Sequence, residues 1–277
     1  MIKLKRQKVR IKKGKVISLQ GFRSHFKGIA GSLILILLLG LIGVGLARLK
    51  YMFVDSDYFM IKGADIKLYD ETGVSLGDLS LEEIEGERFT GTNIFFMDLE
   101  DLKERIEGAH PEFKRVVIRR LLPNRLIVQA NLRRALAQIR SDRYYPVDKE
   151  GVLLPDVKNF PEPTLPIITG IGRRLARIQT ARFSDFQKEK LDNALILIAK
   201  IQGIKELSGY RLKVVDATDP GNLSFFFKES KVEIKIGNSD FDDRLKSLTI
   251  VLDQIGQDMD NFRYIDLRFE DPIIGPR

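Results

Sequence analysis

The side chains able to do chemistry in this 277-residue chain are few and scattered. His25 and His110 are its two histidines, and the apolar stretch Gly28–Ala47 lies between them. If that stretch crosses a membrane, they cannot share a metal ion or relay a proton. His110 precedes Pro111 at an expected helix–strand junction, the setting of a loop residue rather than a general base. Cysteine is absent, which removes thiol nucleophiles, thiolate ligands and disulfides. Asp242 and Asp243 sit in the first turn of an expected helix, where carboxylates face the dipole favourably. Adjacent residues on a helix point apart, so they make a poor acid–base pair. Asp258 and Asp260 have turn composition, and Glu82, Glu83, Glu85 and Glu87 read as a solvated face. Gly170-Ile171-Gly172-Arg173-Arg174 lacks the strand–loop–helix setting and the lysine of a phosphate loop. The expectation is a non-enzymatic protein with no catalytic, cofactor-binding or metal-binding residues.

The strongest physical signal is instead a solvent preference. Gly28–Ala47 runs without a charge, and at about 1.5 Å per helical residue it is long enough for a hydrocarbon core of roughly 30 Å. Upstream lie ten cations, from Lys3 to Lys27, with no carboxylate among them. The chain has 46 basic and 38 acidic residues, so 36 against 38 remain beyond the tail. The positive-inside rule keeps the tail in the cytoplasm and sends the C-terminal part across. Only Phe22 and Phe26 interleave with the tail's cations and no nucleic-acid motif is present, so the tail reads as a topology signal with attraction to anionic lipid. Gly45 and Ala47 have the spacing of a signal-peptidase site, but the run is longer than a cleaved signal needs. An uncleaved anchor is expected.

Beyond a connector at 48–55, in which Tyr51 and Phe53 suit the membrane interface, the pattern is mixed. Tyr58–Ile61 reads as a strand, Asp70-Glu71-Thr72-Gly73 as a turn and Leu81–Glu85 as a helical turn. Asp98 is placed to cap a helix carrying Leu99, Leu102 and Ile106 and ending at Gly108. Arg115–Leu121 and Leu126–Ala130 flank Leu122-Pro123-Asn124-Arg125 as a hairpin. Farther on, Ser184-x-x-Gln187 opens a helix as a capping box. Tyr210–Val215, Leu223–Phe227 and Lys231–Ile236 read as strands, and a helix from Asp240 stripes Leu245, Leu248, Leu252 and Ile255. A last strand alternates Ile265, Leu267 and Phe269 against Tyr264, Asp266 and Arg268. Proline at 272 and 276 puts Ile273-Ile274 off the sheet or at its edge, where another chain can add a strand.

The order strand, helix, helix, hairpin resembles a POTRA module. Gly91-Thr92-Asn93-Ile94-Phe95-Phe96-Met97-Asp98-Leu99, Val116-Val117-Ile118-Arg119-Arg120 and Leu122-Pro123-Asn124-Arg125-Leu126 resemble the POTRA module of the bacterial FtsQ/DivIB cell-division family. Tyr144–Leu153, Leu165–Gly170 and Tyr264–Phe269 are similar to later segments of that family. Two departures stand out. Leu132-Arg133-Arg134-Ala135 replaces the family's Glu-Arg-x-Pro, and Gly63–Gly91 is long enough for an extra hairpin.

The resemblance implies an α+β protein: a basic cytoplasmic tail at 1–27, a transmembrane helix at 28–47, the connector at 48–55, a POTRA-like domain at 56–131 and an antiparallel-sheet α+β domain at 132–277. It implies a single-pass, N-in scaffold of the division septum, needing no cofactor and binding no nucleic acid. Its implied partners are FtsB and FtsL through the C-terminal edge, and other division components such as FtsK through the POTRA-like part. Arg268, Phe269, Ile274 and Gly275 are the candidate contacts, with Arg268 pairing an acidic partner residue and Phe269 or Ile274 as apolar anchor. The competing expectation is a POTRA-bearing export or envelope-assembly component.

Overall fold

The structure is a computed structural model and describes residues 19–80, 91–172, 183–228 and 230–277. The basic residues up to position 18, the acidic face at 82–87, the turn at Leu81–Glu85 and Arg173-Arg174 lie outside the described residues. The chain divides into two compact units, one ending at Met60 and the other beginning at Ile61.

Among the described residues the first unit begins with helix α1 (Leu19–Lys50), which continues as one π-helical turn, Tyr51–Asp55. Its apolar window, Gly31–Asp55, is long enough to cross a membrane. Every Leu, Ile and Val from Leu33 to Leu46 is exposed. A helix apolar on all sides and buried on none finds its favourable solvent in lipid. Tyr58–Ile61 is not the strand expected from its composition. Ser56 accepts the Tyr58 amide through its hydroxyl and starts a 3-10 turn, Asp57–Phe59. That local bond outcompetes pairing, and the first strand begins only at Gly63.

In the second unit β1 (Gly63–Tyr69), β2 (Ser75–Ser80), β3 (Phe113–Leu121) and β4 (Arg125–Leu132) form one sheet in the order β2-β1-β4-β3. β1 runs parallel to β4, and the other two pairs are antiparallel. The long segment after Gly63 does hold a hairpin. Asp70 Oδ1 accepts from the Thr72 and Val74 amides and closes the turn between β1 and β2. Helix α2 (Leu99–Ala109) is capped by Asp98, whose carboxylate accepts from the Glu100 and Asp101 amides. It buries Leu102 and Ile106 and runs one residue past the Gly108 stop.

The larger sheet holds β5 (Ala135–Arg140), β6 (Tyr144–Asp148), β7 (Ile167–Thr169), β8 (Leu212–Asp216), β9 (Ser224–Phe227), β10 (Glu233–Lys235), β11 (Phe262–Asp266) and β12 (Ile273–Pro276). Its order is β12-β11-β10-β9-β8-β7-β5-β6. The fold is α+β as expected, but this sheet is mixed rather than wholly antiparallel. β5 and β7, β7 and β8, and β10 and β11 pair in parallel. Parallel neighbours need a long crossover; β6 and the loop after it lead from β5 to β7, and the two helices provide the other two. Helix α3 (Asp185–Gly203) joins β7 to β8, and α4 (Phe241–Ile255) joins β10 to β11. Ser184 and Gln187 make the reciprocal capping box. Leu191, Leu195 and Ile198 of α3 and Leu245, Leu248 and Leu252 of α4 share one core with Phe225, Phe227, Ile234 and Ile265 of the strands.

β5 carries little sequence signal, because alanines and arginines blur its alternation. It forms nonetheless, with Ala137 and Ile139 fully buried. Its buried Gln138 donates to the Glu162 and Leu165 carbonyls and accepts from the Glu162 amide.

Charges tie the two sheets together. Lys114 on β3 lies 2.8 Å from Glu150 Oε1 in the turn after β6. Arg133, between β4 and β5, lies 2.7 Å from Glu150 Oε2 and also pairs with the buried Asp148. Hydrogen bonds from Lys114 and then Arg133 hold the Glu150 carboxyl down at about 2.

Candidate functional site at the C-terminal sheet edge

Arg268, Phe269, Ile274 and Gly275 all fall on β12 or on the connection leading to it from β11. β12 ends the sheet order, so its outer side is a free edge among the described residues. Across the ladder Pro276 faces Phe262, Gly275 faces Tyr264, Ile274 faces Ile265 and Ile273 faces Asp266.

Proline decides which backbone groups point outward. Pro276 has no amide hydrogen, so the Pro276–Phe262 pair cannot exchange its own two bonds. The Arg277 amide donates to the Asn261 carbonyl instead, at 3.2 Å. Inward bonding therefore falls on Ile273 and Gly275. Ile274 and Pro276 direct their backbone groups away from the sheet, and Pro272 continues that alternation. Of these three residues only Ile274 has an N–H. The open edge thus offers carbonyl acceptors and a single central donor.

The side chains sort differently from the expectation. Ile274 is half-buried and packs on the core, whereas Ile273 is 45% exposed. Phe269 was expected to continue the alternation of the last strand and to serve as an apolar anchor. β11 ends at Asp266, the backbone bends after it, and Phe269 is 56% exposed. Gly275 is where the chain crosses the Tyr264 ring. A Cβ there would stand 2.3 Å from a ring carbon, so only glycine lets the backbone pass. The Lys235 ammonium sits 4.7 Å from the centroid of that ring.

Arg268 is already engaged within its own domain. Its Nε and Nη2 donate to the two oxygens of Asp266 at 2.9 and 2.6 Å, and Nη1 donates to Asn222 Oδ1 at 2.6 Å. The fork holds the buried Asp266 carboxyl below the usual carboxylate range. In the sequence Asp266 is only an alternating position of the last strand. It is instead the buried acceptor that fixes the β11 turn, and Asn222 extends the network to Asp219 at 2.6 Å. The sequence did not single out Asn222, named Ile273 only together with Ile274, and gave Tyr264 and Asp266 only as alternating positions of the last strand. Two prolines four residues apart, which share one side of a strand, were the readable signal for the outward register.

The groups that could suggest other chemistry are occupied structurally. His110 Nδ1 is 2.9 Å from Glu112 Oε1, and its ring stacks on Phe113. Asp242 pairs with Lys200. No group of three metal-ligating side chains converges among the described residues.

Residues 135–268 match the family model of the cell division protein FtsQ/DivIB C-terminal domain. The cell division protein FtsQ of Geotalea daltonii is 25% identical over 94% of this chain and 90% of its own length. That of Syntrophotalea carbinolica is 24% identical over 78% and 73%. The cell division protein DivIB of Clostridium acetobutylicum is 27% identical over 65% and 70%.

Proposed function

We propose that this chain, whose residues 135–268 match the FtsQ/DivIB C-terminal model and which is similar to FtsQ and DivIB relatives along most of its length, is a member of that bacterial cell division family and a non-enzymatic scaffold of the division machinery that holds FtsB, and FtsL through it, at the β12 edge. It is a single-pass membrane protein with its tail in the cytoplasm and its sheets outside, acting at the septum. The observation that supports this reading is the open edge, with the Ile274 N–H between the outward carbonyls of 272 and 276. An added strand completes those bonds, each worth about 0.5–1.5 kcal/mol net. Backbone bonds alone give modest affinity, so the exposed Phe269 and Ile273 serve as the apolar anchors. Arg268 acts indirectly, by holding the bend that presents Phe269. The POTRA-like sheet would receive other division components such as FtsK.

The test pairs cells with purified protein. Depletion should give filamentous cells, and Phe269→Ala with Ile273→Asp should fail to complement. The same double variant should keep native circular dichroism yet lose capture of FtsB by at least tenfold. Normal division on depletion would overturn the division role, and undiminished capture would overturn the edge.

A further inference from the structure

A second exposed apolar surface lies at the end of the small sheet where the chain arrives from its membrane anchor. Phe96 and Leu122 are 65% and 58% exposed, and Leu121 beside Leu122 is exposed too. Topology gathers them. β1 pairs in parallel with β4, Gly63 opposite Arg125, so the β3–β4 hairpin tip stands at the end where β1 begins. The Lys62 amide donates to the Asn124 carbonyl at 2.9 Å, and the Ile61 amide to the Thr92 carbonyl at 2.9 Å. Arg120 closes the cluster by donating to the Ile94 and Met97 carbonyls, 2.7 Å each, which fastens the loop carrying Phe96 to the base of the hairpin tip.

We propose that this tip, with Leu121, Leu122 and Phe96, rests in the headgroup region of the lipid bilayer that holds α1. Covalent reach argues for lipid over another occupant. Ile61 follows Asp55, the end of the apolar window, by six residues, which extend at most about 20 Å. The tip is bonded to that arriving segment, so the covalent path from the apolar window to the tip is short. Its shape fits as well. A hairpin turn is convex, whereas protein partners anchor best in pockets. Lys62 and Arg119 are exposed nearby and match anionic headgroups, while the Arg125 charge is met by Asp65 at 2.7 Å. The contact is independent of which side of the membrane the domain occupies and of what β12 binds.

The chain contains no tryptophan, so a single indole reports on itself. Phe96→Trp and Leu122→Trp, each in the full chain, are reconstituted into phosphatidylglycerol-containing nanodiscs with and without acyl-brominated lipid. Phe160→Trp, at a position 81% exposed between β6 and β7, is the reference. The expected result is blue-shifted emission and at least twofold stronger bromine quenching at 96 and 122 than at 160. Replacing phosphatidylglycerol by phosphatidylcholine should weaken that quenching. Water-like emission at both positions, quenched no more than at 160, would overturn the proposal. Two separate sites, both at exposed side chains, guard against misfolding of either variant, and circular dichroism checks each.

Discussion

Arg268 illustrates how a residue can be chosen for the right neighbourhood and the wrong task. Its guanidinium looks, in sequence, like a free cation for a partner's carboxylate. In the fold it saturates Asp266, which is 5% exposed. Removing one member of such a pair strands the other charge. Because Arg268 is itself about one-third exposed, the cost is discounted for solvent. Arg268→Ala should therefore lower stability by about 2 kcal/mol at neutral pH, seen as a lower denaturation midpoint. Asp266 has its folded pKa depressed, so its stabilisation is present above the ordinary carboxylate range and fades as pH falls through the depressed value. The gap between wild type and Arg268→Ala should narrow on acidification. An unchanged midpoint at neutral pH would mean that the fork contributes nothing.

Elements carry the next layer of specificity. β12 is a sheet edge blunted at both ends by proline and open at Ile274. Ile274→Pro would delete the one outward donor without removing an inward ladder bond. Loss of a single net hydrogen bond predicts capture of the added strand weaker by about twofold to tenfold, and loss of the half-buried Ile274 side chain predicts a somewhat lower melting temperature. Titration of FtsB peptide by calorimetry reads this, and unaltered affinity would exclude strand addition at this edge. The clasp between the sheets is likewise a property of elements, since Lys114, Arg133 and Glu150 come from three separate segments. Glu150 stands at about 2 against an ordinary 4.5, so its contribution is full above about pH 4.5 and lost between there and pH 2. The side chain is 45% exposed, so screening reduces the effect to about 1 kcal/mol. Glu150→Gln should lose that amount at neutral pH and show a flatter acid limb in pH-dependent unfolding. Parallel acid limbs would mean the clasp is idle.

At the scale of the whole molecule, charge asymmetry and chain connectivity set the arrangement. Ten cations precede the apolar stretch from Gly28, and the remainder is nearly neutral. The positive-inside rule then predicts one orientation. Because the chain has no cysteine, Phe160→Cys creates a unique probe in a strongly exposed position. A membrane-impermeant maleimide added to intact cells, with any outer membrane permeabilised, should label it, while a cysteine placed in the tail at Ser18 should react only after lysis. The opposite labelling pattern would reverse the topology and with it the scaffold reading.

Local physics was legible in the residues themselves. The charge-free span, the Asp98 cap, the Ser184–Gln187 box, the Pro-Asn turn and the stripes of α2, α3 and α4 all follow from interactions within a few positions. These also carried the family resemblance, as an order of short motifs. Long-range pairing was not legible. β5 was missed because alanine and arginine give no alternation, and its burial depends on Gln138 meeting a loop more than twenty residues away. Parallel neighbours, the clasp and the pairing of Arg268 with Asn222 depend equally on segments brought together only by folding. The sequence alone determined that this chain is a tethered, cysteine-free α+β protein with a candidate edge near its end. Only the tertiary structure decided that Ile273 rather than Ile274 reaches solvent, that Arg268 is taken, and that one N–H remains on offer, because register is set by the partner strand and not by the strand itself.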